Sequence, residues 1–490
     1  MTMVVHTPEP AATKPESPDR LRAGSVGAAG ITFFVVAAAA PLTCVIAITP
    51  LIIGFGAGIS APLIYLLIGA ILLLFAVGYV AMSRRLPNPG ALYAYIANGL
   101  GRTAGVGAAF VSILAYIASL VTLAAFFGYA LSGLLETLTG ISIPWYGCCL
   151  LAIGAAMALG HREISVGAKV LGVLLVAEVA VLLVLAVVVL VQGGARGIDL
   201  APFNPQGLVV AGVGVGLAFA YSSYIGFEQT AIYAEEAKGP HSVKRATFAA
   251  IILTSVFYAG ITWVIILAFG SDAVVEAAAG SPGTLVFDSA SHYLGAAALS
   301  VMEVLVVTSS LATVLSFHNA TSRYLYALGR EQVLPSWLGR AHHRTQSPYR
   351  ASVLVGIVSA GALGVFALGG VDPYLGVFTW GAAGSAVGFI SLQAACSLAV
   401  VGYFKRHKQL ENAWTALVSP LLAFIGLAGI LSLILINFPL LLGVDVGMVA
   451  VLVPLSFAVA AVLGVIYGVR LKRAQPAVWA SVGGGAQSND

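Results

Sequence analysis

The chain has 490 residues, of which 60% are hydrophobic and only 9% charged, against roughly a quarter charged in soluble domains. That composition excludes a water-soluble fold, and no connection between apolar runs reaches thirty residues, which leaves no room for a nucleotide-hydrolysing domain. The net charge of +4 sits in short clusters between apolar runs, a topology pattern and not the basic face of a nucleic-acid binder.

Twelve apolar windows of the length that crosses about 30 Å of hydrocarbon predict an all-α polytopic membrane protein. Residues 1–24, rich in Pro, Glu and Ala, lack the apolar core of a signal peptide and read as a disordered tail. Within residues 25–191, spans are predicted at Ala28 to Gly54, Ala61 to Met82, Gly105 to Leu135, Pro144 to Gly160 and Val170 to Val191. The first is interrupted at Ala37-Ala38-Ala39-Ala40-Pro41-Leu42-Thr43, where Pro41 removes a backbone donor and suits the start of a new half-helix. Between spans two and three, Ser83 to Arg102 is too short and polar to cross and is expected to lie at the inner face as a short helix. Glu178 stands mid-way in the fifth span with no other charge within eight residues. An acid at such depth is costly and is expected to face the protein interior.

Residues 207–404 carry five more predicted spans, at Gly207 to Ala234, Thr247 to Gly270, Ala296 to Ser322, Ser352 to Gly369 and Tyr374 to Phe404. Two others, Trp414 to Ile436 and Val446 to Arg470, fill residues 413–470, and residues 474–490 read as a second disordered tail. The sixth span loosens at Ser222-Ser223-Tyr224-Ile225-Gly226 and resumes with Glu228, Glu235 and Glu236. Irregular backbone and a carboxylate at membrane depth are tolerated only against protein or a water-filled cavity, so this segment points to a ligand or ion path. Earlier in the span Gly212, Gly214 and Gly216 read as tight helix packing.

Interrupted helices at corresponding places in two five-span halves mark the binding site of an inverted-repeat transporter. The expected substrate residues are therefore Ala40, Pro41, Leu42, Thr43 and Cys44 at one break, with Ser222, Ser223, Tyr224 and Gly226 at the other. Amides of Leu42, Thr43 and Cys44 would face a substrate carboxylate, and carbonyls of Ser222, Ser223 and Tyr224 an ammonium. The competing readings are a proline kink refilled by a nearby hydroxyl and plain helix packing. For proton or cation coupling the candidates are Glu228 and Glu178, with Ser309, Thr313 and Ser316 on one face of span eight. Against these stand a structural anchor for Glu228, a protonated interhelical hydrogen bond for Glu178, and hydroxyls bonded back to their own helix. Glu235 and Glu236, beside Lys238, Lys244 and Arg245, read as solvated or gate-forming ion pairs. His318-Asn319 has no second catalytic cluster beside it, so no enzyme is expected, and Asn319-Ala320-Thr321 is a chance sequon.

Charge placement tests the span count, because cytoplasmic loops hold the excess of Lys and Arg. With both termini inside, 22 of the 23 basic residues fall on one side and only Arg196 on the other. Cys44, Cys148, Cys149 and Cys396 lie in or at spans without metal-ligand spacing and read as small core residues.

Three stretches are similar to motifs of a known family. Ser222 to Arg245 (SSYIGFEQTAIYAEEAKGPHSVKR), Arg323 to Pro348 (RYLYALGREQVLPSWLGRAHHRTQSP) and Leu86 to Gly101 (LPNPGALYAYIANGLG) resemble motifs of the amino acid-polyamine-organocation transporter superfamily. The first resembles its interrupted sixth span, the second its loop after span eight and the third its loop between spans two and three. The resemblance implies a five-plus-five inverted repeat with broken helices one and six and two added helices. It implies an amino acid permease that works by alternating access. Departures are specific: Ala38 to Thr43 stands in place of a Gly-Ser-Gly turn, Glu331-Gln332 in place of Asp-Gly, and His241 in the usual basic run. Ser222 occupies the place of an aromatic gate, and Glu178 the place where several proton-coupled members carry a Lys.

The expected function is a secondary transporter for an amino acid or related amine, a proton-coupled symporter in the plasma (inner) membrane with cytoplasmic termini. Exchange independent of any gradient, sodium coupling and a transport-inactive sensor are the alternatives. No cofactor, metal or nucleic acid is expected; the partners are the substrate, a proton or sodium ion and the lipid bilayer.

Overall fold

The computed structural model describes residues 30–32, 35–36, 39–86, 90–159, 165–210, 212–234, 241–342, 347–407, 410–441 and 447–484. The calls on residues 1–24 and on Glu235, Glu236 and Lys238 lie outside these. A backbone surrounded by hydrocarbon must bond to itself, and uninterrupted apolar runs accordingly form helices. No strand occurs among the described residues.

In chain order the helices are α1 (Pro41–Ala47), α2 (Thr49–Phe55), α3 (Ala61–Arg85), α4 (Leu92–Leu100), α5 (Arg102–Thr139), α6 (Trp145–Leu159) and α7 (Ser165–Gln192). Next come α8 (Val213–Ser222), a 3₁₀ segment Phe227–Ala234, α9 (Ser242–Phe269), α10 (Val274–Gly280), α11 (Leu285–Leu294) and α12 (Ala296–Arg330). The chain continues with α13 (Tyr349–Leu368), α14 (Thr379–Arg406), α15 (Ser419–Ile436), α16 (Gly447–Ala474) and α17 (Pro476–Ser481). Among the described residues nine helices are long and apolar enough to cross a membrane, while Pro41–Phe55 and Trp145–Leu159 are shorter apolar helices. The predicted sixth span is in two pieces, α8 and the 3₁₀ segment.

Local chemistry sets the helix ends. Asp372 caps the entry to α14 by accepting from the amides of Tyr374 (2.8 Å) and Leu375 (2.6 Å), with Pro373 supplying a helix-ready φ. Small residues then let backbones meet: Gly99 of α4 lies so close to the Ala399 backbone of α14 that a β-carbon would overlap it, and Gly56 after α2 abuts Gly216 of α8. Arg406 donates to the carbonyls of Asn98 and Gly99, so the basic end of α14 meets the short helix α4, and Arg84 at the end of α3 pairs with Glu411 beyond α14 at 3.0 Å. Outward, α16 presents Val451, Leu452, Leu455, Val459 and Val462. A continuous apolar surface of that kind suits lipid rather than water.

One expectation is corrected. Residues from Pro476 to Gly484 are packed, not a loose tail: Trp479 lies beneath Arg102 and Lys472 at 5.0 and 5.1 Å, and Val482 is buried. The Gly483 amide donates to Glu331 Oε2 (3.0 Å) while its carbonyl accepts from Asn98 Nδ2 (2.9 Å). Ala, Gly and Pro gave this segment a disordered composition; a single tryptophan in contact with two cations anchors it.

Candidate functional site

The first break falls at Ala39 and Ala40. The Ala39 amide still bonds to Val35 O (3.0 Å), but Ala40 turns to φ 41, ψ 74, a left-handed conformation uncommon for a residue with a β-carbon, and Pro41 starts α1. Holding such a residue costs about 1–3 kcal/mol and needs surrounding structure to fix it. That structure is visible at the Ala39 carbonyl, which accepts from Cys44 Sγ and Tyr258 Oη, each at 3.0 Å. Behind the break, buried Glu178 of α7 accepts from Ser309 Oγ of α12 (2.7 Å) and faces the Leu42 amide of α1. One carboxyl thus bonds α7 to α12 beside the start of α1.

The second break spans Ser223 to Gly226. Gly226 has φ 118, a conformation that only glycine takes freely, and its amide, released from helical bonding, donates to Glu228 Oε2 at 2.9 Å. Glu228 is buried, its Oε1 accepts from Tyr116 Oη (3.2 Å) and its main-chain carbonyl from Tyr79 Oη (2.6 Å). These bonds fit the anchor reading of Glu228. Tyr224 points its hydroxyl at Tyr65 O (2.6 Å) and Ser255 Oγ (3.0 Å), toward α3 and α9.

Between the breaks lies a small, partly open cavity. The first break contributes Ala39, Ala40, Thr43, Cys44 and Ile48, and the second Ser222, Ser223 and Ile225. Helix α5 adds Ser119, Thr122 and Leu123, α12 adds Thr313 and Phe317, and the far wall is Phe378, Ala382 and Ser385. Among the described residues, Cys44 carries the one titratable side chain on the lining. Two lining hydroxyls, Thr43 Oγ1 and Ser119 Oγ, are buried without a hydrogen-bond partner among the described residues.

The sequence-predicted residues therefore separate. Ala40, Thr43, Cys44, Ser222, Ser223 and Thr313 line the cavity, whereas Pro41, Leu42, Tyr224 and Gly226 shape the breaks around it. The set of amides expected to face a carboxylate is corrected: the Leu42 amide faces Glu178, and the Cys44 amide bonds to Ala40 O at 3.0 Å. The hydroxyl trio is also divided, because Ser309 donates to Glu178, Thr313 bonds back to Ser309 O (2.9 Å) and half-buried Ser316 lies off the lining. Sequence reading missed Ser119 and Thr122, although hydroxyls three residues apart on one helical face were the very pattern noticed in span eight. His318 has a structural partner, Ser352 Oγ at 2.8 Å. All four cysteines are buried and unpaired.

The family described as amino acid permease matches residues 28–468. A methylthioribose transporter of Bacillus subtilis is 23% identical over 414 residues, covering 81% of this chain and 85% of that protein. A cationic amino acid transporter of Arabidopsis thaliana (number 7, chloroplastic) is 26% identical over 62% of this chain and 54% of its own length. The branched-chain amino acid permease BcaP of Lactococcus lactis is 25% identical over 59% of this chain and 64% of its own.

Proposed function

The chain belongs to the amino acid permease family, and on that premise we propose that it is a secondary active transporter of an amino acid or related small compound, with the cavity between the two breaks as its substrate site. The observation that carries this is the pairing of two interrupted helices around one cavity, whose walls hold hydroxyls that have no partner among the described residues. The relatives' names cover cationic amino acids, branched-chain amino acids and a thioether sugar, so the family premise fixes transport but not cargo.

In this reading the chain forms twelve spans, two inverted five-helix halves within residues 25–191 and 207–404 followed by two more helices. The arginine-rich end is cytoplasmic, as the loop charges favour, and the membrane is the plasma membrane. The cavity opens alternately to each side. Coupling is to protons: a carboxyl at depth can be neutralised and re-ionised within a cycle, and Glu178 is the better placed of the two because it links α1, α7 and α12. Glu228 serves mainly its own turn.

Purified protein in proteoliposomes, offered labelled solutes under imposed proton and sodium gradients, tests this. Saturable uptake driven uphill by a proton gradient is the expected result. Saturable uptake indifferent to both gradients would mean exchange, and non-saturating flux would end the transporter reading.

A further inference from the structure

The tenth predicted span opens with Asp372-Pro373-Tyr374-Leu375-Gly376-Val377-Phe378, and its first turn is not α-helical. The Asp372 carboxylate accepts from the amides of Tyr374 and Leu375, and its main-chain carbonyl takes those of Gly376 (3.1 Å) and Val377 (2.9 Å), so Pro373–Phe378 winds as one wide π turn before α14. Such turns are rare and recur at functional sites. A second one, Trp414–Val418, contributes nothing to the cavity lining, whereas this one ends on Phe378, part of the cavity wall.

The turn has one face in the protein and one outside it. Leu375 is exposed, while Tyr374 and Phe378 are buried. Tyr374 lies flat on Tyr129 of α5, with ring centres 5.2 Å and planes 21° apart, and Tyr374 and Phe378 both meet Phe126 of α5, at 5.9 and 5.2 Å. The Tyr374 hydroxyl donates to the Ala47 carbonyl at 2.9 Å. Ala47 ends α1, where carbonyls lose their helical donors, and Ile48 (φ −109) separates it from α2. Ile48 and Phe378 both line the cavity, so this bond joins the wall on the α1 side to the wall ahead of α14. Gly283, between α10 and α11, packs on the same layer: a β-carbon there would overlap the Tyr129 hydroxyl.

Helix α5 gives the depth of this layer. It starts at Arg102, beside Trp479, passes the cavity at Ser119 and reaches Tyr129 about 15 Å further along its axis. The aromatic layer therefore lies on the side of the cavity away from the arginine-rich end.

We propose that Pro373–Phe378 is a lid on that side of the cavity, and that Tyr374 is the positioning residue that pins it shut against the junction of α1 and α2. The lid rests on the transporter reading, in which the cavity opens alternately to each side. One hydrogen bond and a few ring contacts are individually weak, so the lid releases without unfolding the bundle. Phe378 is both lid and wall, which sets a solute in the cavity against the closing element itself.

The test uses the full chain in a bacterial host, as intact cells and as inverted membrane vesicles, with a membrane-impermeant trimethylammonium methanethiosulfonate as the probe. Cys44 lines the cavity and reports access to it; Cys44→Ala sets the background from the three other cysteines. Tyr374→Phe keeps the ring contacts and removes the bond to Ala47. Labelling of Cys44 from the outer face of cells is expected to rise about fivefold, and labelling from the cytoplasmic face, exposed in the inverted vesicles, to stay as it was. Asp372→Ala, which uncaps the turn, should raise outer labelling in the same way. Outer labelling unchanged in both variants, or an equal rise from both faces, as loosened packing would give, overturns the proposal. Saturable uptake of solute with unchanged outer labelling would end the lid and spare the transporter reading; raised outer labelling in a chain without saturable uptake would do the reverse.

Discussion

The two breaks solve one problem in two ways. In each, an amide facing away from regular helical bonding is met by a buried carboxyl: Leu42 by Glu178, and Gly226 by Glu228. Glu228 comes from two residues along the same segment, so its bond closes a local turn, with Tyr116 as the outside contact of the carboxyl. Glu178 comes from another helix and also holds Ser309 of a third. A change of charge at Glu228 therefore loosens one turn, while the same change at Glu178 alters how three helices hold together. The carboxyl at the first break thus acts between helices, while the one at the second closes its own turn and leaves the links to α3 and α9 to Tyr224 and to the Glu228 carbonyl.

The harshest way to break this contrast is to remove the second turn itself. Gly226→Leu puts a branched side chain at φ 118, a conformation costing about 1–3 kcal/mol for residues other than glycine. Saturable uptake is expected to vanish, and retention of wild-type uptake would show that this turn does not shape the site. Next, Glu178→Gln keeps one carbonyl acceptor, for Ser309 or for the Leu42 amide, but removes the charge. Uphill uptake driven by a proton gradient should fall about tenfold or more, with binding nearly unchanged. If Glu178→Gln still concentrates solute with the gradient, coupling lies elsewhere.

A smaller effect is expected for Glu228→Gln. Its side-chain carbonyl can serve Gly226 or Tyr116, but the amide nitrogen cannot accept from the other. The expected change is about 1 kcal/mol of stability, read as a lower melting temperature with gradient coupling intact. Equal loss of coupling in the two glutamine variants would erase the distinction drawn between the breaks. Smallest for transport is Trp479→Ala, remote from both breaks. Loss of its contacts with Arg102 and Lys472 should lower stability by about 1–2 kcal/mol and leave solute affinity as it was, measured on the same vesicles.

Much of the scaffold could be read from the chain because hydrophobic run length is a local quantity. Each of the nine long helices overlaps one predicted window, most of them running past its ends, and Pro41 and Gly226 announce the breaks through backbone chemistry that belongs to those residues alone. What the carboxyls touch was not legible. The contact of Glu178 with Ser309 joins residues 131 apart, and no periodicity links them. The cavity wall on α5 was readable in principle from Ser119 and Thr122, yet that helix has no break to draw attention. The packed carboxyl-terminal stretch was misread for a different reason: its order comes from Arg102, Glu331 and Asn98, all distant in sequence.

That stretch has an optical consequence. The indole of Trp479 contacts two cations and donates from Nε1 to Thr103 Oγ1 at 3.4 Å, at the start of α5. With the other five tryptophans replaced, its emission would report whether the stretch stays seated on α4 and α5 as solute is added, giving a label-free signal from one end of the bundle while the cavity fills.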